Sequence, residues 1–305
     1  RVLVGKLAMP RALPRGGTIA IAAPAFWVEP ARVHATAARL VAAGHPVTWR
    51  EDVFAREGYC AGSARRRADE LMQWIRDDSV QAILCARGGW GCHHVIPHLD
   101  ARAFRRARKL LIGFSDVTTL LGWQREVAGL AGVHGPMCVR EDGPTHAELR
   151  ALLALARGER PAPLRGRGAA RGRAEGPLVG GSLTLVAASL GTPWEIDTRG
   201  AILCLEEIGE KPYALDRHLA HLHAAGKLDA AAGFATGHLI GCTDPKRARP
   251  TALQVVHEIL GARKKPLVTG LRFGHVSPNL PWPVGVRGRL DGGKGELAVL
   301  EPGVE

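Results

Sequence analysis

The chain has 305 residues, 46% of them hydrophobic and 23% charged, with six cysteines and a formal net charge of +12. That length and apolar content bury a sizeable core in one large or two medium domains, and exclude a disordered or fibrous class. The uncharged run Pro177 to Trp194 is broken by Gly180, Gly181, Gly191 and Pro193, so no membrane-spanning helix is predicted. Cys60, Cys85, Cys92, Cys138, Cys204 and Cys242 form no C-x-x-C pair, which argues against a zinc site or a disulfide framework and fits a reducing cytoplasm. Residues 1–7 carry charge but no apolar core of a secretory leader, although a start at Arg rather than Met leaves room for a removed upstream segment. Much of the positive excess sits in Arg65-Arg66-Arg67, Arg102 to Lys109 and Arg165 to Arg173. No aromatic interleaving or nucleic-acid motif accompanies it, so it reads as a basic solvated surface, with an anionic small substrate as the next reading.

Thr18 to Ala22 reads as a first strand that ends at the loop Ala23-Pro24-Ala25, and Pro30 to Ala43 reads as a helix stopped by Gly44. Pro46 to Trp49 makes a second strand. Ala64 to Arg76 makes a second helix, capped by Ser63, with Leu71, Trp74 and Ile75 on one face. The strand Ala82 to Ala86 runs into Arg87-Gly88-Gly89-Trp90-Gly91, and Leu110 to Ile112 runs through Gly113 to Ser115, with a helix opening at Asp116. Alternation of short apolar strands and helices predicts a parallel sheet covered on both faces, with ligands outside the carboxyl ends of its strands.

The glycine loop lacks the lysine and the Ser/Thr of a phosphate-binding loop. Its glycines can bring a backbone N–H to a reacting carbonyl, or simply make a tight turn. Ser115 has two readings as well: a helix cap, the commoner role for such a serine, or a nucleophile raised on a strand-to-helix turn. His134, in the strand end Val133 to Pro136, reads equally as a packed or a catalytic histidine.

His146 to Ala156 is helical, and Gly158 to Gly176 shows no apolar periodicity. Three segments follow from this: residues 1–157 as an N-terminal domain, 158–176 as a linker and 177–305 as a C-terminal domain. In the last, Gly180 to Val186 opens a short helix. Strands are predicted at Ala201 to Glu206, Gly233 to Ile240 and Pro266 to Thr269, and helices at Leu215 to Ala225 and Leu253 to Leu260. Short strand-like runs with turn signals fill Pro281 to Leu300. Glu206 and Glu207 end one strand, and His275 sits in a glycine-flanked turn after another. Singly, each reads as an ordinary surface group.

Together these segments resemble the LD-carboxypeptidase family, serine peptidases that include muramoyltetrapeptide carboxypeptidases and immunity peptidases against microcin C. The resemblance runs in order through Ala23-Pro24, Ala86 to Gly91, Gly113-Phe114-Ser115-Asp116, His134-Gly135-Pro136, Gly180 to Leu183, Gly191-Thr192-Pro193, Leu205-Glu206-Glu207, Asp216-Arg217 and Phe273-Gly274-His275. It implies an α/β fold: a flavodoxin-like N-terminal domain joined to a C-terminal domain built around a small β-barrel with helices. It implies a triad of Ser115 as nucleophile, His275 as general base and acid, and Glu206 orienting the imidazole. The backbone N–H groups of Asp116 and Gly89 would form the oxyanion hole, and no metal or organic cofactor would be needed.

Arg87 and Trp90 are the candidate substrate-binding side chains, with Arg87 reading equally as an anchor for a terminal carboxylate or as a group that holds the glycine loop by hydrogen bonds. Trp90 stands where the family usually has tyrosine, Ser182 where it has asparagine, and Glu207 where aspartate is commoner. The implied activity is release of a terminal D-alanine from a murein tetrapeptide in cell-wall recycling, by a cytoplasmic homodimer. A microcin-type peptidase cleaving aminoacyl-nucleotide amides is the alternative. A non-catalytic protein binding anionic ligands or RNA is the reading from another class.

Overall fold

A computed structural model describes residues 7–305; the first six residues, on which most of the N-terminal leader reading rests, lie outside the described residues. Five strands alternate with helices in the first half: β1 (Thr18–Ala22), β2 (Val47–Thr48), β3 (Val80–Cys85), β4 (Leu110–Gly113) and β5 (Gly132–His134). They lie parallel in the order β2-β1-β3-β4-β5, that of a flavodoxin-like sheet. These strands are nearly continuous apolar runs because both faces are covered. The helices Pro30–Ala42 and His146–Ala156 bury Val33, Leu40, Leu152 and Leu155 on one face, and the helix Ala64–Arg76 buries Leu71, Trp74 and Ile75 on the other.

The second half adds β6 (Leu164–Arg165), β7 (Arg167–Ala170), β8 (Arg173–Ser182), β9 (Ile202–Ile208), β10 (Gly233–Ile240), β11 (Leu267–Thr269), β12 (Trp282–Val284), β13 (Arg287–Asp291) and β14 (Glu296–Val299). Eight of them form a sheet ordered β6-β14-β13-β8-β9-β10-β11-β7. Its two edge strands, β6 and β7, are separated in sequence by Gly166 alone, so the edges must meet and the sheet curls into a nearly closed barrel. Residues alternate between its faces along β9. Ile202 and Cys204 point into the barrel core, while Leu203 and Leu205 pack outward under the helices Leu183–Ala188, Pro212–Ala224 and Ala252–Gly261.

β12 comes from the second half of the chain but does not join the barrel. It pairs antiparallel with β5, Trp282 opposite His134, and completes the edge of the first sheet. One apolar core runs through the join, from Phe114 and Val117 to Phe273 and Trp282.

Three expectations need correction. Residues 158–176 are not without regular structure: they carry β6, β7 and the start of β8. Gly180 to Ser182 end β8, and the helix begins only at Leu183. Nor is the triplet Arg65-Arg66-Arg67 a solvated face. Arg65 is exposed, but Arg66 pairs with Glu70 and Asp52, and Arg67 is 2% exposed. Lys109 is buried as well, donating to the carbonyls of Trp74 and Asp77. Among the described residues no helix is long and apolar enough to cross a membrane.

Candidate active site

Ser115 follows β4, and Phe114 and Asp116 on either side of it are buried. Its φ is +60°, a left-handed conformation that a serine adopts only when the surroundings hold it there. The helix Val117–Glu126 starts two residues later, and Ser115 does not cap it: its backbone carbonyl accepts from Thr118 N–H at 2.9 Å, while its hydroxyl is left toward a cleft of about 530 Å³. The glycine loop after β3 comes close. A Cβ on Gly88 would lie 2.7 Å from Ser115 Cβ and 2.8 Å from its Oγ, so only glycine fits beside the serine. Among the described residues, no group accepts from the N–H of Gly89 or of Asp116.

The barrel supplies the other two groups. Glu206 continues the inward face of β9 and has no exposed surface, whereas Glu207 faces outward, where its Oε2 accepts from the Thr184 N–H at 2.8 Å at the start of the helix Leu183–Ala188. Burial holds the Glu207 carboxyl above its ordinary range, against the hydrogen bonds from the Ile208 and Thr184 backbone. His275 follows β11 by a glycine-bearing loop. Its Nδ1 lies 2.7 Å from Glu206 Oε2, and its backbone N–H reaches the same oxygen at 3.3 Å. The ring stands edge-on to Phe114 at 4.8 Å, and His275 lines the same cleft as Ser115. No hydrogen bond joins the Ser115 hydroxyl to His275 among the described residues.

The His275 loop is held by residues that sequence reading missed. Gly274 N–H donates to Asn279 Oδ1 at 2.9 Å, Asn279 N–H donates to Glu148 Oε1 at 2.7 Å, and Glu148 Oε2 accepts from Thr145 N–H at 2.7 Å. Thr145-x-x-Glu148 does have the spacing of a capping box, and it caps the helix His146–Ala156. That spacing carries no sign that the other carboxylate oxygen reaches across to the histidine loop.

Arg87 lines the cleft, its Nη1 donating to Trp27 O at 3.2 Å, and burial lowers its affinity for its proton. Trp90 is 36% exposed and packs on His93 and His94 outside the cleft lining. His134 is fully buried among Phe114, Phe273 and Trp282, stacked on Trp282 at 5.0 Å, and neither ring nitrogen has a hydrogen-bond partner among the described residues. Among the described residues no group of three or more His, Cys, Asp or Glu side chains is arranged to hold a metal ion.

Known proteins resemble the chain over nearly all of its length. Residues 19–135 match the model of the LD-carboxypeptidase N-terminal domain, and residues 175–290 that of the C-terminal domain. The chain belongs to the LD-carboxypeptidase family. It is therefore a hydrolase, a serine carboxypeptidase. It is 34% identical to the probable murein peptide carboxypeptidase of Bacillus subtilis, over 97% of this chain and 95% of the relative. With the murein tetrapeptide carboxypeptidase of Pseudomonas aeruginosa it shares 31% identity, over 92% and 95%. The fold is also that of the microcin C7 self-immunity protein MccF, solved in complex with glutamyl sulfamoyl guanosine: the TM-score is 0.86 at 19% identity, over 97% of this chain and 99% of that one.

Proposed function

We propose that this LD-carboxypeptidase releases the terminal D-alanine of a murein tetrapeptide through a Ser115–His275–Glu206 triad. The observation that carries the reading is the convergence, in one cleft, of a strained serine with a histidine whose Nδ1 is 2.7 Å from a fully buried carboxylate. Glu206 accepts the Nδ1–H, which leaves Nε2 free to take the Ser115 proton as Oγ attacks the scissile carbonyl. Gly89 and Asp116 N–H groups stabilise the resulting oxyanion, each contributing on the order of 3 kcal/mol. His275 then protonates the departing amine of the D-amino acid, the C–N bond breaks, and water, deprotonated by the same imidazole, hydrolyses the acyl-enzyme. Arg87 is the anchor for the free carboxylate that defines a carboxypeptidase substrate.

Both murein-peptide relatives support this substrate, and through it a role in cell-wall recycling. Six unpaired, buried cysteines support a reducing, cytoplasmic setting. The homodimer implied by the family is checked by sedimentation. A second reading, cleavage of aminoacyl-nucleotide amides, draws on Phe26, whose ring lines the cleft beneath Gly89 and offers a face for a base.

The test is mass-spectrometric detection of D-alanine released from murein tetrapeptide by the unaltered chain, Ser115→Ala and His275→Ala. Release by the unaltered chain alone supports the reading. A folded chain that releases none, yet cleaves an aminoacyl sulfamoyl nucleotide, moves the assignment to the second. Release that survives Ser115→Ala removes the triad.

A further inference from the structure

The two backbone donors assigned to the oxyanion arrive on different loops, Asp116 after β4 and Gly89 after β3. Pairing between the strands stops short of both loops, at Leu84 opposite Ile112. A cradle for one oxygen needs its donors fixed to a fraction of an ångström. The Gly91–Cys92 peptide group provides a link between them. Its carbonyl accepts from Arg67 Nη1 at 2.8 Å, and its N–H donates to Asp116 Oδ2 at 2.8 Å. Arg67 also donates to Pro24 O at 2.6 Å and to Gly62 O at 3.2 Å, so one guanidinium gathers three loops.

Both charged groups are out of water, Arg67 at 2% exposure and Asp116 at 0%. Among the described residues no carboxylate forms an ion pair with Arg67. Cation and anion instead grip opposite ends of one peptide dipole, with its carbonyl toward the guanidinium and its N–H toward the carboxylate. Gly91 makes the grip possible: its φ is +134°, and a Cβ there would lie 2.6 Å from Arg67 Nη1.

We propose that Arg67 and the Asp116 side chain are positioning residues that clamp the Gly91–Cys92 peptide and thereby set the Gly89 N–H at the right distance from the Asp116 N–H for the oxyanion. The clamp rests on the serine-peptidase reading above. Neither side chain lines the cleft, so their loss should be felt in the transition state rather than in substrate binding.

The experiment compares Arg67→Met, Arg67→Lys, Asp116→Ala and Asp116→Asn in the full chain. It reads kcat and KM on murein tetrapeptide, the rate at which a fluorophosphonate modifies Ser115, and cooperative melting. Arg67→Met and Asp116→Ala are expected to lower kcat and the modification rate about 100-fold with KM within about threefold. Asp116→Asn keeps an oxygen that accepts the Cys92 N–H, and should recover to within about fivefold of the unaltered chain. Arg67→Lys cannot reach three carbonyls and should lose about tenfold or more in kcat.

The proposal is overturned if folded Arg67→Met and Asp116→Ala keep kcat within about threefold, if the loss lies in KM alone, or if Asp116→Asn is as damaged as Asp116→Ala. Should the first two variants not fold, Arg67→Lys and Asp116→Asn decide by the same criteria. Should the unaltered chain ignore the tetrapeptide while its serine still reacts with the fluorophosphonate, the substrate reading fails. The modification rates of the variants then judge the clamp separately.

Discussion

His275 Nδ1 lies 2.7 Å from Glu206 Oε2, and the carboxylate has no exposed surface. A buried carboxylate at that distance fixes which ring nitrogen carries the proton, and in the proposed triad it is placed to stabilise an imidazolium. Its second oxygen, Oε1, has no hydrogen-bond partner among the described residues, so the histidine ring and backbone are its main polar company.

Glu206→Gln keeps the shape and removes the charge. The amide can present an N–H to Nδ1, forcing the proton to Nε2, where it blocks acceptance from Ser115. The expected fall in kcat is about 10³- to 10⁴-fold with KM little changed, measured on tetrapeptide at neutral pH. A loss smaller than about tenfold would remove Glu206 from the triad.

Gly274→Ala strikes the same pair from the backbone. Gly274 has a φ of +90°, and a Cβ there would lie 2.6 Å from Glu206 Cδ. The carboxylate or the loop must shift, and a displacement near 1 Å costs roughly 100-fold in kcat/KM. Chemical denaturation should show an accompanying stability loss of about 1–3 kcal/mol. An active, unshifted variant would mean that the histidine loop tolerates movement.

His134 links stability to pH. Burial pushes its pKa down to about 4, against a weaker upward pull from Glu206, while nearby His275 adds to the depression. The unfolded chain takes up the proton near pH 6.5 and the folded chain resists until about pH 4, so stability is fully present above the first value and is lost on acidification across that interval. The contribution is about 3 kcal/mol. His134→Phe should flatten this part of the profile, measured as the difference between the two proteins in urea unfolding from pH 7 to pH 4. Parallel curves would show that the imidazole is solvated or paired when folded.

Much of the architecture is legible because buried parallel strands such as Ala82 to Cys85 are uninterrupted apolar runs, and the covering helices repeat every three to four residues. The barrel edges are not legible. β7 reads Arg-Gly-Ala-Ala with its first three residues exposed, so no alternation of apolar and polar residues marks it as a strand. Ser115, Glu206 and His275 stand out because each follows or ends an apolar run and together they resemble one family in order. Arg67 lies one turn before Leu71, so helical spacing places it on the inward face, but a lone arginine there gives no sign of which carbonyls it gathers. Glu148 and Asn279 act on each other over 131 positions, a relationship that only the folded chain creates.

β12 lies 148 residues beyond its partner β5, by the pairing of Trp282 with His134. During synthesis the sheet that carries the serine therefore has an open edge until Val284 has emerged, and the strand that closes it arrives after His275. The strand that closes the serine sheet and the histidine loop are thus neighbouring stretches of sequence. For the triad proposed above, a fragment that ends between His275 and β12 holds all three groups but lacks the strand that closes the edge of the serine's sheet.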